Sequence, residues 1–217
     1  MDRDEVAGIV RVERLSLADL LESLSPHEWE HTSLCRGWRV RDVAAHLTLG
    51  TRFRPVDGLV QFLRARGDVN RLIHDSAVRR AREVEPAQIV ADLRAAAESR
   101  RRPPGTSYLD PMADVLVHGQ DIAVSLGRPR PMPLDAAVVA ATRDWTMRFF
   151  GARRRLAGLY LSATDVSWSA GEGAPVEGPI ASLLLVITGR SAGLAELSGE
   201  GLPLLTACLT PAPARTS

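Results

Sequence analysis

At residues 114–121 the chain reads DVLVHGQD. Val115, Leu116 and Val117 precede His118 and Ile122 follows it, the pattern of a helix turned toward an interior. Asp114 stands four residues before the histidine and Asp121 three residues after it, so all three share one helical face. A second copy of the pattern occurs at residues 40–47, VRDVAAHL, where Asp42 stands four residues before His46. Both histidines sit among Val, Ala and Leu, which predicts that each points into a helical bundle. A buried imidazole must satisfy its ring nitrogens, and leaving one unpaired costs about 1–3 kcal/mol. Either each histidine has its own hydrogen-bond partner, or the two converge on something shared.

Bundles build a three-ligand metal site from an i, i+4 pair on one helix and a single side chain from another. Asp114 and His118 supply the pair and His46 the third donor. Two nitrogens and one oxygen leave a divalent ion one open position for water or substrate. Asp121, one turn on, is placed to orient an imidazole from behind the site. Asp42 reads either as a similar support or as a first-turn carboxylate favoured by the helix dipole. His27, His31 and His74 lie in polar or arginine-rich contexts and are not read as metal ligands.

Outward from these two segments the chain reads as helices. Apolar residues recur at helical spacing over residues 4–22, and a second helix starts near Arg39. A third amphipathic stretch covers residues 56–84, interrupted at Gly67 and Asp68. Pro86 opens a fourth at the first-turn position proline favours. After the helix of His118, the stretch LDAAVVAATRDWTMRFFGARRR is expected as one long helix. Residues 1–155 therefore form a helical bundle without a convincing strand. Beyond them LAGLYLSATDVSWSAG alternates as one or two strands, GEGAPVEGP reads as a turn-rich connector, and IASLLLVITGR as a short apolar helix ended by glycine. LSGEGLPLL is a possible closing strand. Residues 156–209 are thus a small α+β domain, and 210–217 a disordered tail.

Composition narrows the function classes. The 217 residues carry 27 basic and 26 acidic side chains, which gives no electrostatic reason to expect nucleic acid or a membrane as partner. Every basic residue is arginine, so no lysine is present to act as a Schiff base or general base. Cys35 and Cys208 are too few and too separated for a disulfide framework, and Cys35 as a nucleophile finds no neighbour in sequence to activate it. The charged N-terminus lacks a signal-peptide core, and IASLLLVI is far shorter than the roughly 18 apolar residues of a membrane span. A cytoplasmic location is expected, and the helical surfaces are compatible with a homodimer.

The segments CRGWRVRDVAAHL and DVLVHGQDIAVSLGRP resemble the two signature segments of the mycothiol-dependent maleylpyruvate isomerase family, which belongs to the DinB-like metal-binding four-helix bundles. GPIASLLLVITGR is similar to the short helix of that family's small C-terminal domain. The resemblance implies a mainly α fold, a DinB-like four-helix bundle carrying a small C-terminal α+β domain. It also implies a divalent metal, usually zinc, on positions that fall at His46, Asp114 and His118. The family pattern has glutamate where Asp114 stands, so the carboxylate here is one methylene, roughly 1.5 Å, shorter.

What the resemblance implies chemically is mycothiol, a low-molecular-weight thiol, acting on a small electrophile at the metal's open position. A coordinating metal deprotonates a thiol, and the thiolate attacks an activated double bond or displaces a leaving group. Maleylpyruvate-type isomerisation or S-transfer follows. Arg190 is the expected cation for substrate carboxylates and cofactor, contributed by the small domain; alternatively it caps a helix end. Trp38 lies at the pocket mouth beside the cofactor, or in the core. A non-catalytic ligand-binding or regulatory module and a metal-dependent hydrolase are the competing readings.

Overall fold

The computed structural model describes residues 1–52, 68–102 and 105–210. In the unit Met1–Arg130 the helices are α1 (Arg3–Glu22), α2 (Pro26–Trp29), α3 (Val40–Arg52), α4 (Val69–Glu83), α5 (Pro86–Ala97) and α6 (Asp110–Ala123). Local chemistry starts most of them. Asp2 accepts from the backbone of Asp4 and Glu5 while Glu5 returns a bond to the Asp2 amide, and Ser25 and Glu28 repeat that reciprocal cap on α2. Asp68 caps α4 through the Arg71 amide, and Pro86 opens α5. The rest of the third amphipathic stretch, Gly67 included, lies outside the described residues, as do the last seven residues of the chain.

Helix α1 packs on α5 and α6, and α3 packs on the same two, so these four close a ring around one core, with α4 laid against α3. Leu17, Leu21, Val43, Leu93, Val115 and Ile122 fill the centre, each with essentially no exposed surface. The fold is mainly helical, as the sequence predicts.

In the unit Pro131–Ser217 the helices are α7 (Leu134–Thr146), α8 (Ala152–Arg155), α9 (Ile180–Ile187) and α10 (Leu202–Leu209). Its sheet has order β2-β1-β3, from β1 (Gly158–Ala163), β2 (Ser169–Gly171) and β3 (Gly173–Gly178). Three expectations are corrected here. The stretch from Leu134 to Arg155 is not one helix: Met147 turns extended, and left-handed Gly151 precedes the separate α8. GEGAPVEGP is no mere connector, because most of it forms β3, parallel to β1 in the register Gly158↔Gly173 to Ala163↔Gly178. The glycines that suggested a turn are what allow the pairing. At Gly173, with φ of 130°, a Cβ would stand 2.1 Å from the Gly158 carbonyl oxygen. LSGEGLPLL makes a single bridge, Glu177↔Ser198, and then turns into α10, whose proline occupies the first turn.

The contacts divide the chain at Arg130/Pro131 rather than at residue 155, since α7 packs on α9 through a face that includes Ala136, Ala137, Ala140 and Ala141, all buried. Small side chains let two helices approach closely.

Candidate metal centre

Helices α3 and α6 carry the two histidines onto one side of their shared interface. On α6 nearly every residue from Met112 to Ala123 is buried, and the half-buried exceptions are Asp114 and His118. His46 on α3 is half-buried in the same way. His46 Nε2 lies 3.4 Å from Asp114 Oδ1, and His118 Nε2 lies 3.5 Å from the same oxygen. The two imidazoles meet edge to face with centroids 4.9 Å apart. One donor atom from each of the three residues falls within 4.8 Å of the other two. These separations are long for N–H···O hydrogen bonds, which cluster at about 2.9–3.0 Å. They match the edges of a tetrahedron around a zinc-sized ion, about 3.3–3.5 Å for bonds of about 2.0–2.2 Å. The donor set and its spacing therefore fit a divalent ion, and the shorter carboxylate of Asp114 reaches both nitrogens.

Behind the cluster stands Asp121, fully buried, whose Oδ2 accepts from His118 Nδ1 at 2.8 Å. A carboxylate can only accept there, so the proton sits on Nδ1 and the Nε2 lone pair faces Asp114. Asp121 also accepts from the Cys35 thiol at 3.2 Å, and that sulfur lies 3.7 Å from His118 Nδ1. Cys35, His118 and Asp121 form a second group of converging donors. The sequence offered no neighbour for Cys35, because its neighbours come from residues more than eighty positions away.

The segment Cys35 to Trp38 explains how α3 and this loop address α6. Trp38 N donates to Cys35 O at 3.0 Å, and Gly37 at the third position has φ of 80°. That turn needs a residue tolerant of positive φ, hence glycine. Leu34 N bonds the Asp121 carbonyl at 3.1 Å, which ties the loop to α6. The turn thus presents Cys35 to His118 and lays the buried Trp38 ring 5.3 Å from His46 and 6.1 Å from His118. His74, not read from sequence as a ligand, lies with its ring 6.1 Å from Trp38 and half its side chain exposed.

Asp42 does not support His46. Its carboxylate accepts from the Arg39 amide at 2.9 Å and from both Arg39 Nε and Nη2, the first-turn role of a helix start. Nδ1 of His46 is buried without a hydrogen-bond partner among the described residues. Arg190 lies in the second unit, where its amide bonds Leu185 O and its Nη1 donates to Thr188 O, both at 2.8 Å.

A cavity of about 590 Å³ opens beside His46 and Asp114, lined by apolar residues such as Leu72 and Ile73 and by several arginines, Arg14 among them. Asp114 keeps 41 % of its side-chain surface. Desolvation works against its charge, but His46 and His118, with Arg14 further off, outweigh it and hold the carboxyl at about 2.

A helical ring that brings two histidines and a carboxylate together at a cavity defines a helical protein with a candidate metal centre. Residues 10–106 match the model of a known family, the mycothiol maleylpyruvate isomerase N-terminal domain. Two solved structures share the architecture, the crystal structure of the mycothiol-dependent maleylpyruvate isomerase and that of a mutant of it. Each superposes with a TM-score of 0.60 at 16% identity, over 92% of this chain and 93% of theirs. At that identity the likeness is one of fold. No curated protein sequence matches the chain. No helix among the described residues is long and apolar enough to cross a membrane.

Proposed function

We propose that the chain is a cytoplasmic metal-dependent thiol enzyme of the DinB-like bundle class, performing maleylpyruvate-type isomerisation or S-transfer on a small electrophile with mycothiol as the thiol. The ligand set is His46 Nε2, Asp114 and His118 Nε2, and the ion is zinc by the softness and number of the donors. The observation that carries this reading is the spacing of 3.4 Å and 3.5 Å from one carboxylate oxygen to two imidazole nitrogens, with Asp121 fixing the tautomer of one of them.

A bound divalent ion supplies the acidity that keeps a thiol ionised at neutral pH. The chain's own residues do the remainder. Asp121 holds the His118 proton on Nδ1 and so keeps Nε2 available. The Trp38 ring walls the imidazoles and restricts water on that side. The apolar portion of the cavity accommodates the carbon skeleton of the electrophile, and its arginines accommodate negative charge.

The test is consumption of a small electrophile such as maleylpyruvate, followed with mycothiol present, with it absent, and in His118→Ala. Thiol-dependent turnover lost in the variant is the expected result. Turnover unaffected by thiol points instead to hydrolysis, and no turnover from a metal-loaded protein points to a binding module.

A further inference from the structure

Arg14 is a cation without a matched anion in a place where the fold elsewhere supplies one. It lies on α1 with 5% of its surface exposed. Nη1 donates to the Ala96 carbonyl at 2.7 Å, and Nε is buried with no partner. No carboxylate comes within ion-pair distance of it among the described residues. The neighbouring residue shows the contrast. Glu13 is spent on Arg130, whose Nη2 reaches Glu13 Oε2 at 2.7 Å and whose Nη1 reaches Ser16 Oγ at 3.0 Å. The Arg130 guanidinium is buried and satisfied; that of Arg14, next to Glu13 in sequence, is buried and is not.

Arg14 also lines the cavity that His46 and Asp114 share. Three other arginines there are anchored: Arg52 and Arg80 both pair with Asp92, although Arg80 Nε is likewise buried without a partner, and Arg102 Nε donates to Thr106 O at 3.0 Å. Burial disfavours the Arg14 charge and Asp114 supports it from a distance. A planar guanidinium with free N–H groups in a desolvated wall is the chemistry that receives a carboxylate in a bidentate grip.

We propose that Arg14 is the anion-recognising residue of this cavity, seating the carboxylate of a small anionic ligand whose other end reaches the His46, Asp114 and His118 cluster. The assignment puts anion recognition inside the bundle, on α1, independently of Arg190. It rests on the reading above for what the cluster does to the ligand, but anion binding itself does not require that reading.

The experiment is calorimetric titration of the full-length protein with succinate, and with succinamide as the uncharged match. Wild type binds succinate and not succinamide. Arg14→Met, which keeps the buried stem, weakens succinate at least about tenfold, and Arg14→Lys recovers part of the loss. Arg101→Gln, an exposed arginine of the same lining, changes affinity less than about threefold, as expected of a surface charge. Equal binding by wild type and Arg14→Met, equal binding of the two ligands, or no succinate binding by wild type overturns the proposal. Should Arg14→Met not fold, the Arg14 Nε–H resonance of wild type takes its place: it moves on adding succinate and stays still with succinamide, and an unmoved resonance under succinate overturns the assignment. Metal content of His46→Ala is measured separately, so a failed metal reading is distinguishable from a failed anion reading.

Discussion

Replacing Asp121 with asparagine isolates the support behind the candidate centre. The side chain is fully buried and accepts from His118 Nδ1 at 2.8 Å and from Cys35 Sγ at 3.2 Å. Asparagine keeps the volume but loses the charge, and its amide group faces one of the two donors with another donor. The His118 tautomer is then no longer imposed, and the proton divides between Nδ1 and Nε2. Partners of this kind change metal affinity by about 10- to 100-fold, or about 1.4–2.7 kcal/mol. Loss of one buried hydrogen bond adds an unfolding penalty of about 1–3 kcal/mol. Competition with a chelator of known affinity reads the first quantity, and urea unfolding of the metal-free protein reads the second. The reasoning predicts a weakened metal site in a protein that still folds. Wild-type metal affinity in Asp121→Asn, alongside lost binding in His118→Ala, would refute the role given to Asp121.

Three further outcomes follow from other parts of the molecule. Gly37→Ala forces a side chain into a turn with φ of 80° and costs about 1–2 kcal/mol, seen as a lower Tm; an unchanged Tm would contradict the turn's need for glycine. Arg130→Met strands the buried Glu13 carboxylate and destabilises by about 3–5 kcal/mol in urea unfolding, while adding Glu13→Leu restores much of the loss. Glu28 is held down to about 2 by the Ser25 amide, with Arg128 and the Ser25 hydroxyl adding to it, against an ordinary 4.5. A depressed carboxyl stabilises above its unfolded value, so the advantage of wild type over Glu28→Gln is complete at neutral pH. It fades as pH falls from about 4.5 toward about 2, and a pH-independent difference in Tm would contradict it.

Much of the bundle was legible because its signals are local. Helix periodicity, the Pro86 start and the i, i+4 spacing of Asp114 and His118 need only neighbouring residues to be read. The spacing also selected His46 as the partner, and the geometry brings all three together. Features that depend on distant pairing were not legible. Cys35 meets His118 and Asp121 only through the fold, and Arg14 meets the cavity only because α1 packs on α5 and α6. Strand β3 was hidden by its own glycines, whose missing side chains permit a close backbone approach that composition alone reads as a turn. Asp42 was ambiguous for a different reason: one carboxylate serves a helix start or a histidine equally well until Arg39 is seen to occupy it.

The central claim is that His46, Asp114 and His118 hold a common ion. Elemental analysis of the purified full-length protein beside His46→Ala and His118→Ala tests it most directly. The account predicts about one divalent ion per chain in wild type, lost in both variants while their helical signal persists. A folded wild-type protein that takes up no divalent ion even when zinc is supplied, or variants that keep theirs, would contradict it.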